Sequence, residues 1–262
     1  MRTRKLAPGW ALAALPMLCV LASCGGVKSS LSSPTNPDPF VLYINASPDV
    51  GGLDFYADND KVVANAPYAP GLPEFMDFQQ LPFREEDGGA WDIAVTQVNS
   101  PDELDAISPT LSLNTSHVVV TAGLYHFDTS IFTEYEKRLT LFEFVVDRIP
   151  PNGNRARLIV VHAFMRSPGN LTPPLRFQTP GRNPAFQVTG IIFAGNKSFE
   201  VDSGTWTFEA KRDDLPDGAV FATRTATLAP GAIYLVIVSG VEDSPDPLQQ
   251  PKITFIQIPS RV

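Results

Sequence analysis

The chain has 262 residues, with 20 basic and 28 acidic side chains, a formal net charge of −8 and two cysteines. That acidic balance argues against nucleic acid and against docking on anionic lipid headgroups. The length leaves room for one large domain or two ordinary ones.

At the start of the chain, Arg2, Arg4 and Lys5 form a positive segment, Leu6 to Val20 an apolar one, and small residues follow. That order predicts a cleaved export signal. The apolar run falls short of the roughly 20 residues that span a bilayer. Pro8, Gly9 and Pro16 weaken it further as a helix. Leu21-Ala22-Ser23-Cys24 then resembles a bacterial lipobox. The resemblance implies cleavage before Cys24, thioether-linked diacylglycerol on its thiol and an N-terminal acyl chain. Several acyl chains hold a membrane stably where one holds it marginally. The alternative is plain secretion with Cys24 a bystander. Gly25 follows the cysteine, where an aspartate would resemble an inner-membrane retention signal. The expected address is therefore the outer membrane of the cell envelope, on its periplasmic or its surface face.

Cys19 falls in the discarded leader, so the mature chain keeps only the lipidated Cys24. No disulfide and no cysteine metal site is expected. Without Arg2, Arg4 and Lys5 the basic count falls to 17 and the net charge to −11. Residues 25–39, GGVKSSLSSPTNPDP, read as a tether rich in Gly, Ser and Pro. Fully extended it reaches about 50 Å, at about 3.3–3.6 Å per residue.

The remainder repeats itself. Val41–Ala46 matches Leu158–Ala163, Gly89–Val95 matches Gly204–Ala210, His117–Gly123 matches Tyr234–Gly240, and Leu139–Phe144 matches Ile253–Ile258. The four matches keep their order at separations of 114 to 117 residues. They predict two copies of one module, 40–150 and 151–262, after the leader (1–23) and the lipidated tether (24–39). Each copy reads as all-β. Trp206, Phe208 and Ala210 alternate with Thr205, Thr207 and Glu209, and Trp91, Ile93 and Val95 alternate with Asp92 and Ala94. Period two marks a strand with one buried face. Ala57–Lys61 suits a hairpin connection. Ser100-Pro-Asp-Glu-Leu carries helix-start chemistry and predicts one or two helical turns. Leu139–Val146 is apolar on both phases, as in a strand covered on both sides near the junction of the copies. The expected fold is two tandem antiparallel β-sandwiches of immunoglobulin-like kind.

Ile44-Asn-Ala-Ser-Pro-Asp49 followed by Leu53-Asp-Phe-Tyr56 resembles the bacterial family catalogued as domain of unknown function 4397. Its members open with a strand ending Val-Val-His-Ala-Ser-Pro-Asp. The second copy keeps Val160-Val-His-Ala163 and Leu175-Arg-Phe177, with the Ser-Pro displaced to Ser167-Pro168 and the Asp missing. The resemblance implies exported, often surface-anchored sandwich modules. It supplies no substrate and no catalytic residue.

Few groups suggest chemistry. His162 and Asn45 occupy equivalent strand ends; because they differ, shared imidazole chemistry fails and backbone hydrogen bonding is the expected role. Asp49, Asp54, Asp58 and Asp60 lack the loop spacing of a calcium site, so no metal is expected. With Leu53 and Phe55 in the core, Asp54 should face solvent. Trp91 and Trp206 sit on the apolar phase and read as core. No nucleophile elbow, phosphate loop or basic aromatic patch occurs, so no catalytic residue, enzyme activity or cofactor is expected. The loops after the matched first strands, 47–52 and 164–174, differ most between copies. They make Ser47, Pro48, Asp49, Ser167 and Pro168 the candidate binding residues. The expected role is a non-catalytic binding or spacer protein of the envelope, partnered by the membrane through Cys24 and by an envelope protein or glycan. A glycan-binding variant of that reading needs exposed aromatics, for which Tyr68, Phe132 and Tyr135 are the candidates. A hydrolase is the remaining alternative.

Overall fold

Alternating and continuous apolar runs resolve into strands throughout the body. The computed structural model describes residues 40–69, 83–85, 89–112, 115–125, 139–166, 172–180, 186–214 and 219–260. The leader, lipobox and tether, with Cys24, lie outside them, as do Ser167, Pro168, Phe132 and Tyr135. From Phe40 to Val146 the strands are β1 (Phe40–Asn45), β2 (Leu53–Ala57), β3 (Asp60–Ala66), β4 (Phe83–Glu85), β5 (Gly89–Ala90), β6 (Ile93–Gln97), β7 (Glu103–Ile107), β8 (Thr110–Leu111), β9 (Ser116–Ala122) and β10 (Thr140–Val146). From Arg155 they are β11 (Arg155–Met165), β12 (Leu175–Gln178), β13 (Gln187–Ile191), β14 (Asn196–Asp202), β15 (Gly204–Arg212), β16 (Val220–Leu228), β17 (Ile233–Val241) and β18 (Lys252–Ile258). The fold is all-β, and no α-helix occurs among the described residues.

Each half builds two four-stranded sheets. The first half gives an inner sheet, β10-β9-β1-β4, and an outer sheet, β3-β2-β6-β7. The second half gives an inner sheet, β18-β17-β11-β14, and an outer sheet, β13-β12-β15-β16. Position by position the two topologies are the same, except that a separate two-stranded ladder of β5 and β8 in the first half corresponds to the far end of the β15–β16 ladder in the second. Both halves are two-sheet sandwiches. One detail departs from the antiparallel expectation: each inner sheet is mixed, with β1 parallel to β9 and β11 parallel to β17, while the other ladders of the four-stranded sheets are antiparallel. The registers confirm the internal matches, because Val41 lies opposite His117 and Leu158 opposite Tyr234. Only the last strand departs. Phe144 pairs with Val118 and Ile256 with Leu235, so the equivalent of Phe144 is Ile256 rather than Ile258. The slip of two residues leaves the facing of that strand unchanged.

The inner strands carry apolar residues on both faces because both faces are covered. Val41, Tyr43, Val119 and Leu141 point into the first sandwich with Leu53, Phe55, Ile93 and Val95. Leu158, Val160, Tyr234, Val236 and Phe255 point into the second with Phe177, Trp206 and Phe208. The alternate residues form a third core: Leu42, Ile44, Val118, Val120, Phe144 and Val146 meet Ile159, Val161, Ile233, Leu235, Ile237 and Ile256. The inner sheets therefore pack face to face, and the described body is a stack of four β layers. Leu139–Val146 is covered on both faces over its first part only, with Leu139 and Leu141 in the first sandwich and Phe144 and Val146 in the shared core, while Val145, on the phase of Leu141, is exposed.

Two local expectations play out differently. The Ala57–Lys61 hairpin forms with Asp58 and Asn59 at φ of 48° and 70°, the left-handed pair that a two-residue primed turn needs. The helical turns expected from Ser100 do not form. Ser100 Oγ accepts from Asp102 N at 3.1 Å, and the chain enters β7 at Glu103. One or two isolated turns have little stability of their own, whereas pairing with β6 satisfies the same backbone groups.

Candidate functional site

The loop following β1 is built from Asn45, Ser47 and Asp49. Asn45 is buried, and its Nδ2 donates to Gly51 O at 2.7 Å and Ala66 O at 3.2 Å. Its Oδ1 accepts from Ser47 N at 3.1 Å. Ser47 is buried too and donates to Gly123 O at 2.7 Å, while Asp49 Oδ1 accepts from Tyr125 N at 2.8 Å. The motif thus pins the β1–β2 connection to the end of β9. Ser47 and Pro48 are buried and Asp49 half-buried. What this loop shows to solvent is chiefly Gly51, at φ 72°.

The Asn45/His162 difference has a structural answer. His162 Nδ1 lies 2.8 Å from Ile191 O and donates to it. Ile191 pairs with Leu175 as Ala66 pairs with Leu53. Both side chains therefore donate to the same carbonyl of the fold, where Asn and His each offer an N–H. His162 is fully buried, between Phe164 and Phe193, and its Nε2 has no hydrogen-bond partner. Burial pushes the imidazole from 6.5 down to about 4. Between those values the unfolded chain binds a proton that the folded chain refuses, so stability rises with pH across the window. It is complete above pH 6.5 and falls by about 3 kcal/mol on descending to pH 4. Urea unfolding at pH 7 and pH 4.5 checks this: His162→Asn, the first copy's choice, should flatten that part of the pH dependence.

The acidic residues do not converge. Asp54 is buried rather than solvent-facing: Lys61 Nζ reaches its Oδ2 at 2.5 Å and Asn65 N its Oδ1 at 2.8 Å. Burial pushes its carboxyl up, but these donors outweigh burial and hold it below the usual range. Bulges in the β2–β3 ladder and Asn65 at φ 54° bring the donors over it, and neither is visible in the alternation of residues. Asp58 Oδ1 accepts from Asp92 N at 2.9 Å. Among the described residues no group of three or more His, Cys, Asp or Glu is placed to hold a metal. Trp206 packs in the second core and donates to Asp202 O at 2.8 Å, while Trp91 is half-buried against the first.

One array escaped sequence reasoning. Thr115 Oγ1, His117 and Glu143 form a hydroxyl–imidazole–carboxylate chain, with 2.6 Å at Nε2 and 2.5 Å at Nδ1. That order suits a nucleophile, base and orienter. The second copy argues for a structural role instead. There Tyr234 replaces His117, and its hydroxyl accepts from Ala229 N at 3.0 Å. The equivalent Ser112 N approaches His117 Nε2 at 3.4 Å. In both copies this side chain anchors the turn before the strand.

Tyr68 is not an exposed platform. It is half-buried, and its hydroxyl donates to Ser239 Oγ at 3.3 Å across the junction of the two halves. Burial pushes its hydroxyl up to about 12. The open surface is elsewhere, on the outer face of the second outer sheet. Thr205 and Thr207 on β15 and Thr223, Thr225 and Thr227 on β16 are all exposed. Thr205 pairs with Thr227 and Thr207 with Thr225, with Oγ1 atoms 3.0 Å apart in each pair. The alternation of Thr223-Arg-Thr225-Ala-Thr227 is the sequence signal that would have found this face.

The described fold thus defines a double β-sandwich with a hydroxyl-rich outer face. No family model and no curated protein matches the chain. Similar solved structures include the Bacillus anthracis TIE protein, at 11% identity and a TM-score of 0.23, over 79% of this chain and 34% of that one. They also include CBMbc, a family CBM26 module of Eubacterium rectale Amy13K in complex with maltoheptaose, at 10% identity and a TM-score of 0.22, over 83% and 95%. The chain spans about a third of the length of the first. Likenesses at these TM-scores carry no argument about function.

Proposed function

We propose that the chain is an exported lipoprotein, anchored through Cys24, whose double sandwich serves the cell envelope as a non-catalytic spacer and binding body. The observation that carries this reading is the shared core. Inner sheets packed on both faces make one stiff block, and close-packed interiors transmit load rather than deform. The Gly/Ser/Pro-rich stretch before Phe40 adds reach between such a block and a lipid. The resemblance to domain of unknown function 4397 and the outer-membrane address belong to the same proposal. Its test is intact mass and membrane fractionation of wild type against Cys24→Ala in a bacterial host. Wild type should be membrane-bound with a lipid-sized mass increment, and the variant soluble without it. Equal solubility and equal processing would make the chain a freely secreted protein.

A second reading, glycan binding, is favoured by the threonine face. Hydroxyls aligned on one face of a sheet can exchange hydrogen bonds with sugar hydroxyls. Glycan-array binding that disappears in Thr207→Val/Thr225→Val would support it. A silent array, with a protein cross-linked to wild type in the envelope, favours a protein partner.

A further inference from the structure

The two copies treat one pair of sheet edges differently. In the first, the outer edge runs through β7 and β8 over residues 103–111, broken at Ser108 and Pro109 and carrying the acidic Glu103 and Asp105. Asp105 also turns to the inner-sheet edge, its Oδ2 accepting from Leu141 N of β10 at 2.7 Å. Proline and charge on an edge are among the usual guards against edge pairing. The ladders make β16 the equivalent of β7 and β8 together, because Asp105 opposes Val95 as Ala222 opposes Ala210, and Leu111 opposes Gly89 as Leu228 opposes Gly204. Here the acidic residues and the proline are gone; one charge remains, Arg224 opposite Phe208, and the strand bulges beyond Ala222. β16 has nine residues, Val-Phe-Ala-Thr-Arg-Thr-Ala-Thr-Leu, with no Asp, Glu, Lys or Pro, and Ala222 stands where Asp105 would. β16 ends the strand order of its sheet, so among the described residues no strand pairs with its outer edge.

The order of residues in β16 says what fits that edge. Read from Arg224 in both directions its centre is a palindrome, Thr223 and Thr225, then Ala222 and Ala226, which ends where the bulge beyond Ala222 sets Phe221 against Thr227. A two-fold interface needs a surface complementary to itself, and an antiparallel strand with this symmetry supplies one.

We infer that β16 is a self-pairing edge, and that two copies of this chain join through it in antiparallel register about Arg224. Thr223 then lies opposite the partner's Thr225, and Ala222 opposite the partner's Ala226. From Ala222 to Ala226 the residues that oppose each other keep the same facing, so both sandwiches stay on one side of a continuous eight-stranded sheet. The threonine ladder already present between β15 and β16 continues across the two-fold, where Thr–Thr pairs contribute to cross-strand stability.

Cysteine pairs on the full chain test the register. Directly opposed residues lie about 4.5–5.5 Å apart between Cα atoms, within the span of a disulfide. Under mild oxidation, a mixture of Thr223→Cys and Thr225→Cys chains should give several-fold more covalent dimer than either variant alone. The wild-type chain, oxidised in parallel, reads any background through Cys19 and Cys24. Sedimentation velocity supplies the second measurement: wild type should dimerise, and Thr225→Lys, which sets a charge against the paired edge, should shift it to monomer. A wild type that stays monomeric at tens of micromolar overturns the inference. So does a dimer indifferent to Thr225→Lys, or a mixture that cross-links no better than its components.

Discussion

An Ile237→Ala chain should lose about 2–5 kcal/mol of stability, the usual range for truncating a buried isoleucine where the cavity only partly collapses. Ile237 is fully buried in the core shared by the two inner sheets. It lies on β17 between Val161 of β11 and Thr254 of β18, so backbone on both sides limits relaxation. The site belongs to the second half by sequence, yet its apolar neighbours include residues of the first. The loss should therefore appear in both. Amide exchange should accelerate along β9 of the first inner sheet as well as along β17. Urea unfolding gives the magnitude and hydrogen exchange the reach. Acceleration confined to residues after Arg155 would mean that the inner sheets do not share a core.

Phe208→Ala should cost about 3–5 kcal/mol, the range for deleting a buried aromatic. Phe208 is fully buried in the second sandwich. Its ring stacks on Phe177 of the same outer sheet at 5.2 Å between centroids and tilts against Phe255 of the inner sheet at 5.5 Å. One side chain thus ties β15 to β12 and to β18. The equivalent in the first half is Ile93, which offers less area and no ring contacts. Ile93→Ala should cost less, about 2–5 kcal/mol by the same rule. Paired unfolding curves for the two variants measure the difference.

Much of the fold was legible because strand physics is written in period two. The alternation around Trp91 and Trp206 marked the outer strands, and the repeated matches marked the duplication. The inner strands gave a subtler signal. Runs such as Val118–Val120 and Leu158–Val161 are apolar on both phases, which says that both faces are covered. What covers them depends on how distant segments dock, and no local pattern encodes that. Asp54 was misread for the opposite reason. It sits on the polar phase, but bulges in its hairpin fold Lys61 and Asn65 over it, and irregularities of one residue leave no periodic trace. The equivalence of Asn45 and His162 was visible as a position. Their common role became visible only when Ala66 O and Ile191 O proved to be the same carbonyl of the fold. Tyr68 read as a loop aromatic because its partner, Ser239, lies 171 residues away. The Gly-Gly match at residues 123 and 240 does have a local reason, since both glycines hold positive φ, 96° and 112°. At Gly240 a side chain would stand 2.6 Å from Gln250 O.

The central claim is that the two sandwiches are one body joined by a common core, and differential scanning calorimetry of the wild-type chain tests it most directly. A shared core predicts one transition whose calorimetric enthalpy equals its van't Hoff enthalpy. Two resolved transitions, or a calorimetric enthalpy about twice the van't Hoff value, would show two modules that unfold independently, and would contradict it.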